Sequence, residues 1–159
     1  MSDPSELYSL LIPLRDERLL VPRICIAEVI ALAESPEPLG ADQPRWCAGT
    51  VDWNGRRLPV IKLDHSDAPA PEPKRSRRRI VVFHGITQRL KGRFYGVLTQ
   101  GFPQLVRVNP DVLAADPEFV PDPQRPILCR ARMIHEFPLI PDLERIEQLV
   151  AELPMARSA

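Results

Sequence analysis

The sequence predicts an all-β protein, built as barrels, with one helical appendage. Three observations carry that reading. Short apolar runs rich in Val, Ile and Leu recur along the 159 residues, each about the length of a single strand. Nineteen prolines stand against seven glycines and sit beside these runs, so they punctuate many short elements and do not mark one long disordered tract. Only residues 142–153, DLERIEQLVAEL, carry apolar side chains at helical spacing.

Taken in order, YSLLIPL (8–14) and RLLVP (18–22) flank Asp16-Glu17 and read as a hairpin. Pro22 suits the start of a helical turn, because that position needs no donor. ICIAEVIAL (24–32) is expected to begin with that turn and become a strand from about Glu28, where β-branched residues cluster. Three prolines make 34–44 a loop. Asn54-Gly55 is the strongest hairpin signal in the chain, since both residues tolerate the positive φ of a type I′ turn. AGTVDW leads up to it and RRLPVIKL returns. Pro59 lacks a donor, so the returning strand is expected at a sheet edge or bulged there.

Residues 64–79, DHSDAPAPEPKRSRRR, have the composition of a long exposed connection and mark the expected split between two lobes. Strands follow at 80–84, 93–98 and 104–108. Residues 109–126 read mostly as loop, and ILCRARMI (127–134) as a strand with its arginines toward solvent. In the final helix, Leu143, Ile146, Leu149, Val150 and Leu153 form one stripe, and Asp142 is the expected N-cap.

Composition excludes several functions. Twenty-one Lys+Arg cancel twenty-one Asp+Glu, so no global field favours nucleic acid or an acidic membrane. Cys25, Cys47 and Cys129 are far apart, with no C-x-x-C pair, which argues against zinc and disulfides and fits a reducing compartment. The opening MSDPSELYSL is acidic where a signal peptide is basic, and no apolar run approaches a membrane span, so a cytoplasmic protein is expected. His65, His84 and His135 lack metal-ligand spacing. His135-Glu136 is half of H-E-x-x-H, with Leu139 in place of the second histidine. No nucleophile elbow, Walker loop or dinucleotide fingerprint occurs, and His65-Ser66-Asp67 are neighbours in a loop, which cannot converge as a triad. No enzyme activity, cofactor or metal is therefore expected.

The basic run KRSRRR (74–79) invites a second reading, a small β-barrel that binds nucleic acid. It has no stacking aromatics within it, and nucleic acid is not the expected partner. Trp46 and Trp53 bracket the first hairpin and read equally well as core residues or as contact anchors.

The order of these pieces resembles the CheW family, the coupling proteins of bacterial chemosensory arrays. The family's central pattern, G-V-x-N-x-R-G-x-x-(V/L)-P-(V/I)-(V/I)-D-L, stands here as Gly49-Thr50-Val51-Asp52-Trp53-Asn54-Gly55-Arg56-Arg57-Leu58-Pro59-Val60-Ile61-Lys62-Leu63. Upstream, LLVPRICIAEVI is similar to its V-x-E-(V/I) element, with Glu28 at the glutamate. Downstream, FYGVLTQGF resembles its G-(L/I)-x-V-D-x-V strand, and PLIPDLERIEQL its ending. Likeness extends from about Ser5 to Leu153.

This resemblance implies two intertwined five-stranded SH3-like barrels with a shared core and a C-terminal helix, the N-terminal strand being assignable to the second lobe. It implies a non-catalytic adaptor between the cytoplasmic tip of a methyl-accepting chemoreceptor and a CheA-type histidine kinase, held near membrane-bound arrays without inserting. Ile26, Glu28, Gly49, Asn54, Gly55, Gly96 and Phe102 fall at family partner-binding positions. Three departures stand out. Asn54 replaces an arginine expected to pair with the glutamate matched by Glu28, which leaves Glu28 either unpaired or with Lys62 or Arg56 as a substitute partner. Lys62 replaces an aspartate, and Gln100 an acidic residue. Such divergence resembles the variant couplers of pilus-controlling systems, of the ChpC or PilI type.

Overall fold

The first hairpin forms because its two apolar runs can bury both faces at once. β1 (Leu7–Pro13) pairs antiparallel with β2 (Arg18–Pro22), matching Ile12 to Leu19 and Leu10 to Val21. The computed structural model describes residues 6–64 and 78–154. Pro22 leads into a single 3₁₀ turn, Arg23–Cys25, and β3 (Ile26–Ala31) follows at once. The strand starts two residues before the expected Glu28. An irregularity between Ile26 and Glu28 allows Ile26 to pair with Phe83 while Glu28 pairs with Val82.

β4 (Cys47–Trp53) and β5 (Arg56–Ile61) are joined by Asn54 at φ 48° and Gly55 at φ 74°, the two positive values a type I′ turn requires. β6 (Arg79–His84) and β7 (Phe94–Thr99) complete a sheet in the order β3-β6-β7-β5-β4. Pro59 therefore lies in an interior strand and not at an edge, the first of its two expected settings; the irregularity in this pair falls on β4 between Cys47 and Gly49, opposite Ile61 and Val60. The reason Pro59 fits is local register. Thr50, its partner on β4, directs both backbone groups to Glu37 at 2.8 Å each, so the Thr50–Pro59 pair is a non-hydrogen-bonded one. Pairing of β5 with β7 begins only at Val60.

The second sheet takes β8 (Gln104–Val108), β9 (Ala114–Ala115), β10 (Ile127–Arg132) and β11 (Leu139–Pro141), in the order β8-β1-β2-β11-β10-β9. It thus has six strands. The segment 64–79, expected at the split between lobes, lies in the chain between β5 and β6, both strands of the five-stranded sheet, and residues 65–77 of it lie outside the described residues. The chain changes sheets instead at the 23–25 turn and between β7 and β8. On β10, Arg132 faces solvent as expected, but Arg130 is half-buried. It donates to Asp116 at 2.7 Å and lies over the Phe119 ring.

Three apolar clusters run through the molecule. Leu58, Val60, Ile80, Val82 and Leu98 fill the five-stranded sheet, and Leu11, Leu20 and Val108 the six-stranded one. Between them lies a shared core in which Ile12, Leu19 and Val21 of one sheet meet Ile61, Val81, Phe83 and Tyr95 of the other. Phe83 and Tyr95 stack at 5.2 Å. α1 (Leu143–Ala151) closes this core with Ile146 and Val150, and Asp142 caps it by accepting from the Arg145 N–H at 3.2 Å. Each such aliphatic side chain removed from water contributes roughly 1.5–3 kcal/mol. No described helix is long and apolar enough to cross a membrane.

Candidate functional site

One end of the five-stranded sheet gathers polar and aromatic side chains at the surface. Trp53, last residue of β4, donates its Nε1–H to Glu28 Oε2 at 2.7 Å. Its ring meets Phe94 edge-on at 4.9 Å, and the Arg56 guanidinium covers the same Phe94 ring at 5.5 Å. His84 lies 5.5 Å from Phe94. The local sequence explains the assembly. Trp53 and Arg56 are the cross-strand pair that flanks the Asn54-Gly55 turn, and Phe94 and His84 are a pair on β7 and β6. Glu28, Arg56 and His84 are exposed, while Trp53 and Phe94 are half-buried. Such a surface, aromatic with a carboxylate and a guanidinium, suits protein contact.

The predicted residues separate into three groups. Ile26, Glu28, Asn54 and Gly55 lie at or beside this cluster, with Ile26 half-buried against the shared core. Phe102 stands at the opposite end of β6, 68% exposed, with the Arg79 guanidinium 4.4 Å over its ring. The length of β6 puts the two ends roughly 17 Å apart. Gly49 and Gly96, expected at partner-binding positions, are buried. A Cβ on Gly96 would come within 2.5 Å of Ile80 Cγ2, inside the sheet's own core. At Gly49, where φ is +122°, a Cβ would stand 2.4 Å from the Glu37 carbonyl oxygen. Both glycines permit close packing within the fold.

Trp46 is half-buried on the shared core, so of the two tryptophans only Trp53 joins the surface cluster. Phe94 and His84 were not named as site residues from sequence, and Arg56 only as a substitute partner for Glu28; the cross-strand pairing of Trp53 with Arg56, implied by a two-residue turn, is the signal that places Arg56 in this cluster. Of the basic run, residues 74–77 lie outside the described residues, as does His65. Burial pushes the Cys25 and Cys47 thiols upward, although the Gly49 carbonyl and Lys62 oppose it at Cys47. Both are poor nucleophiles as a result. Among the described residues no group of three or more His, Cys, Asp or Glu could hold a metal.

A family model described as the CheW-like domain matches residues 9–149. The chain belongs to that family. The matched span runs through both sheets and into α1 of the CheW-like fold. The crystal structure of the scaffolding protein TtCheW from Thermoanaerobacter tengcongensis has the same fold, with a TM-score of 0.67 over 87% of this chain and 86% of that one, at 15% identity. Comparison with curated proteins gives no match. In this CheW-like chain Glu28 is paired neither with Lys62 nor with Arg56. Trp53, the residue before Asn54, supplies its donor, because the turn holds the indole over Phe94 and within reach of β3.

Proposed function

We propose that this CheW-like chain is a non-catalytic adaptor that couples the cytoplasmic tip of a methyl-accepting chemoreceptor to a CheA-type histidine kinase. The observation that carries the reading is the family match through both sheets, residues 9–149. The exposed cluster around Glu28 and Trp53 supports it, because it presents aromatic and charged groups on rigid strands. Ile26, Glu28, Asn54 and Gly55 form one docking face in this reading, and Phe102 belongs to a second. Gly49 and Gly96 hold the strands that shape them. The adaptor works in the cytoplasm, beside membrane-bound receptor arrays and without inserting. Its finer role is control of type IV pilus motility, a reading that rests on Asn54, Lys62 and Gln100 at positions where the family carries other residues.

The test is a pull-down of the purified chain against a CheA-type kinase and, separately, a receptor cytoplasmic fragment. Retention of both is expected. Retention of neither overturns the proposal.

A further inference from the structure

The five-stranded sheet curls so that its two edge strands, β3 and β4, face each other without pairing. The Trp53–Glu28 hydrogen bond spans the gap at one end, and the reciprocal Glu37–Thr50 backbone bonds block it at the other. Between these points lies an open cleft of about 290 Å³. Ile30, Val51 and Ile80 line it; Ile80 belongs to the buried apolar cluster of that sheet, and Ile30 and Val51 pack against it half-buried.

Backbone register makes the walls of this cleft sticky. Leu32 N–H donates to the Arg78 carbonyl, so along β3 the residues that bond to β6 alternate as Glu28, Ile30 and Leu32. Val29 and Ala31 then turn their N–H and C=O toward the cleft, and Asp52 does the same from β4 by alternation from Thr50. Among the described residues no strand pairs with this side of β3. It also lacks the usual protection. From Glu28 to Ala33 there is no lysine and no proline, and Ala31 and Ala33 are small and exposed.

Charge on the rim selects the occupant. Glu34, Glu37 and Asp52 line the cleft with Arg57. Arg57 is engaged by Glu37 at 3.2 Å and by Thr50 Oγ1 at 2.6 Å. Glu34 and Asp52 have no ion-pair partner among the described residues. An apolar floor, open backbone groups and two carboxylates without an ion-pair partner among the described residues ask for an extended segment alternating apolar and basic side chains. We propose that the β3–β4 seam binds such a segment from a partner protein, which adds as a strand along β3. The window from Glu28 to Ala33 admits about five residues at ~3.3 Å each. Neither kinase nor receptor is needed for this binding, so it stands or falls apart from the adaptor reading.

The probe is a fluorescent, end-blocked heptapeptide of alternating Lys and Val, titrated with the full chain and followed by anisotropy. Saturable binding that weakens several-fold on raising the salt is expected. N-methylation of every second amide, which removes donors and leaves the side chains, should weaken it about tenfold or more. Ala31→Pro should do the same, because the Ala31 N–H faces the cleft and serves no bond to β6. Asp52→Lys should transfer the preference toward a Glu–Val peptide. Equal binding of the Glu–Val peptide by the unmodified chain overturns the charge argument. Equal binding of the N-methylated peptide overturns strand addition, and that arm holds even where Ala31→Pro unfolds the chain. Dimerisation abolished by Ala31→Pro, without peptide binding, makes a second copy the occupant and overturns the proposal.

Discussion

Replacing Gly49 by alanine separates a glycine that packs from a glycine that docks. The added Cβ would stand 2.4 Å from the Glu37 oxygen, 2.8 Å from its carbonyl carbon and 3.2 Å from Pro36 Cβ. Main chain, unlike a side-chain tip, cannot swing aside, so the 36–37 segment must move. Moving it breaks two backbone hydrogen bonds, Glu37 N–H to Thr50 O and Thr50 N–H to Glu37 O, both 2.8 Å. These contribute about 1 kcal/mol each. An L residue at φ +122° adds about 1–3 kcal/mol of backbone strain. The expected loss is roughly 3–5 kcal/mol, a fall in melting temperature of about 10 °C for a chain of this size. Gly55→Ala is the control. Its φ is +74° but nothing lies within 4 Å of the new Cβ, so only strain remains and the fall is about 3 °C. Thermal unfolding by circular dichroism reads both. If Gly49→Ala melts with the wild type and yet loses kinase binding, the packing argument is wrong and Gly49 belongs to an interface.

Glu147→Ala is expected to cost roughly 3–5 kcal/mol, because this fully buried carboxylate accepts from Ile86 N–H at 2.9 Å, Thr87 N–H at 2.8 Å and Thr87 Oγ1 at 2.7 Å; the denaturant midpoint and faster amide exchange at Ile86 and Thr87 check it. Trp53→Phe keeps a ring against Phe94 and removes only a donor to an exposed carboxylate, so stability should change by less than about 1 kcal/mol, whereas Trp53→Ala should cost about 3 kcal/mol. Tyr95→Phe removes a buried hydroxyl with no hydrogen-bond partner among the described residues, so chemical denaturation should show it neutral or up to about 1 kcal/mol stabilising. Burial raises this phenol above its ordinary value, so its protonated form is favoured in the fold. The unfolded chain ionises first; stability is intact below about pH 10 and declines above it, and Tyr95→Phe should flatten that alkaline decline.

Local signals in this sequence were readable and distant ones were not. The Asn54-Gly55 turn needs only two residues tolerant of positive φ, and the Asp142 cap only a side chain within reach of the third residue on. β11 escaped notice because three residues, the last of them a proline, cannot display alternation, and although β10 precedes it directly in the chain, its other partner, β2, is distant in sequence. Glu147 reads as a solvent-facing helix residue. It is buried because Ile86 and Thr87, some sixty positions away, present unpaired donors to it. Gly49 and Gly96 give the same letter whether they yield space to a partner or to the core, and only their neighbours Glu37 and Ile80 decide. Glu28 is exposed, and its partner is Trp53, a neutral donor that charge matching could not find.

An adaptor must hold two partners at once, and that property can be measured directly. A CheA-type kinase and a soluble receptor fragment, mixed with and without the purified chain, are separated by size-exclusion chromatography with light scattering. The account predicts a ternary species containing all three proteins, which appears only when the chain is present and disappears when Glu28 and Trp53 are both replaced by alanine in a chain shown to remain folded. Kinase and receptor fragment that displace each other from the chain, each bound only alone, would contradict it.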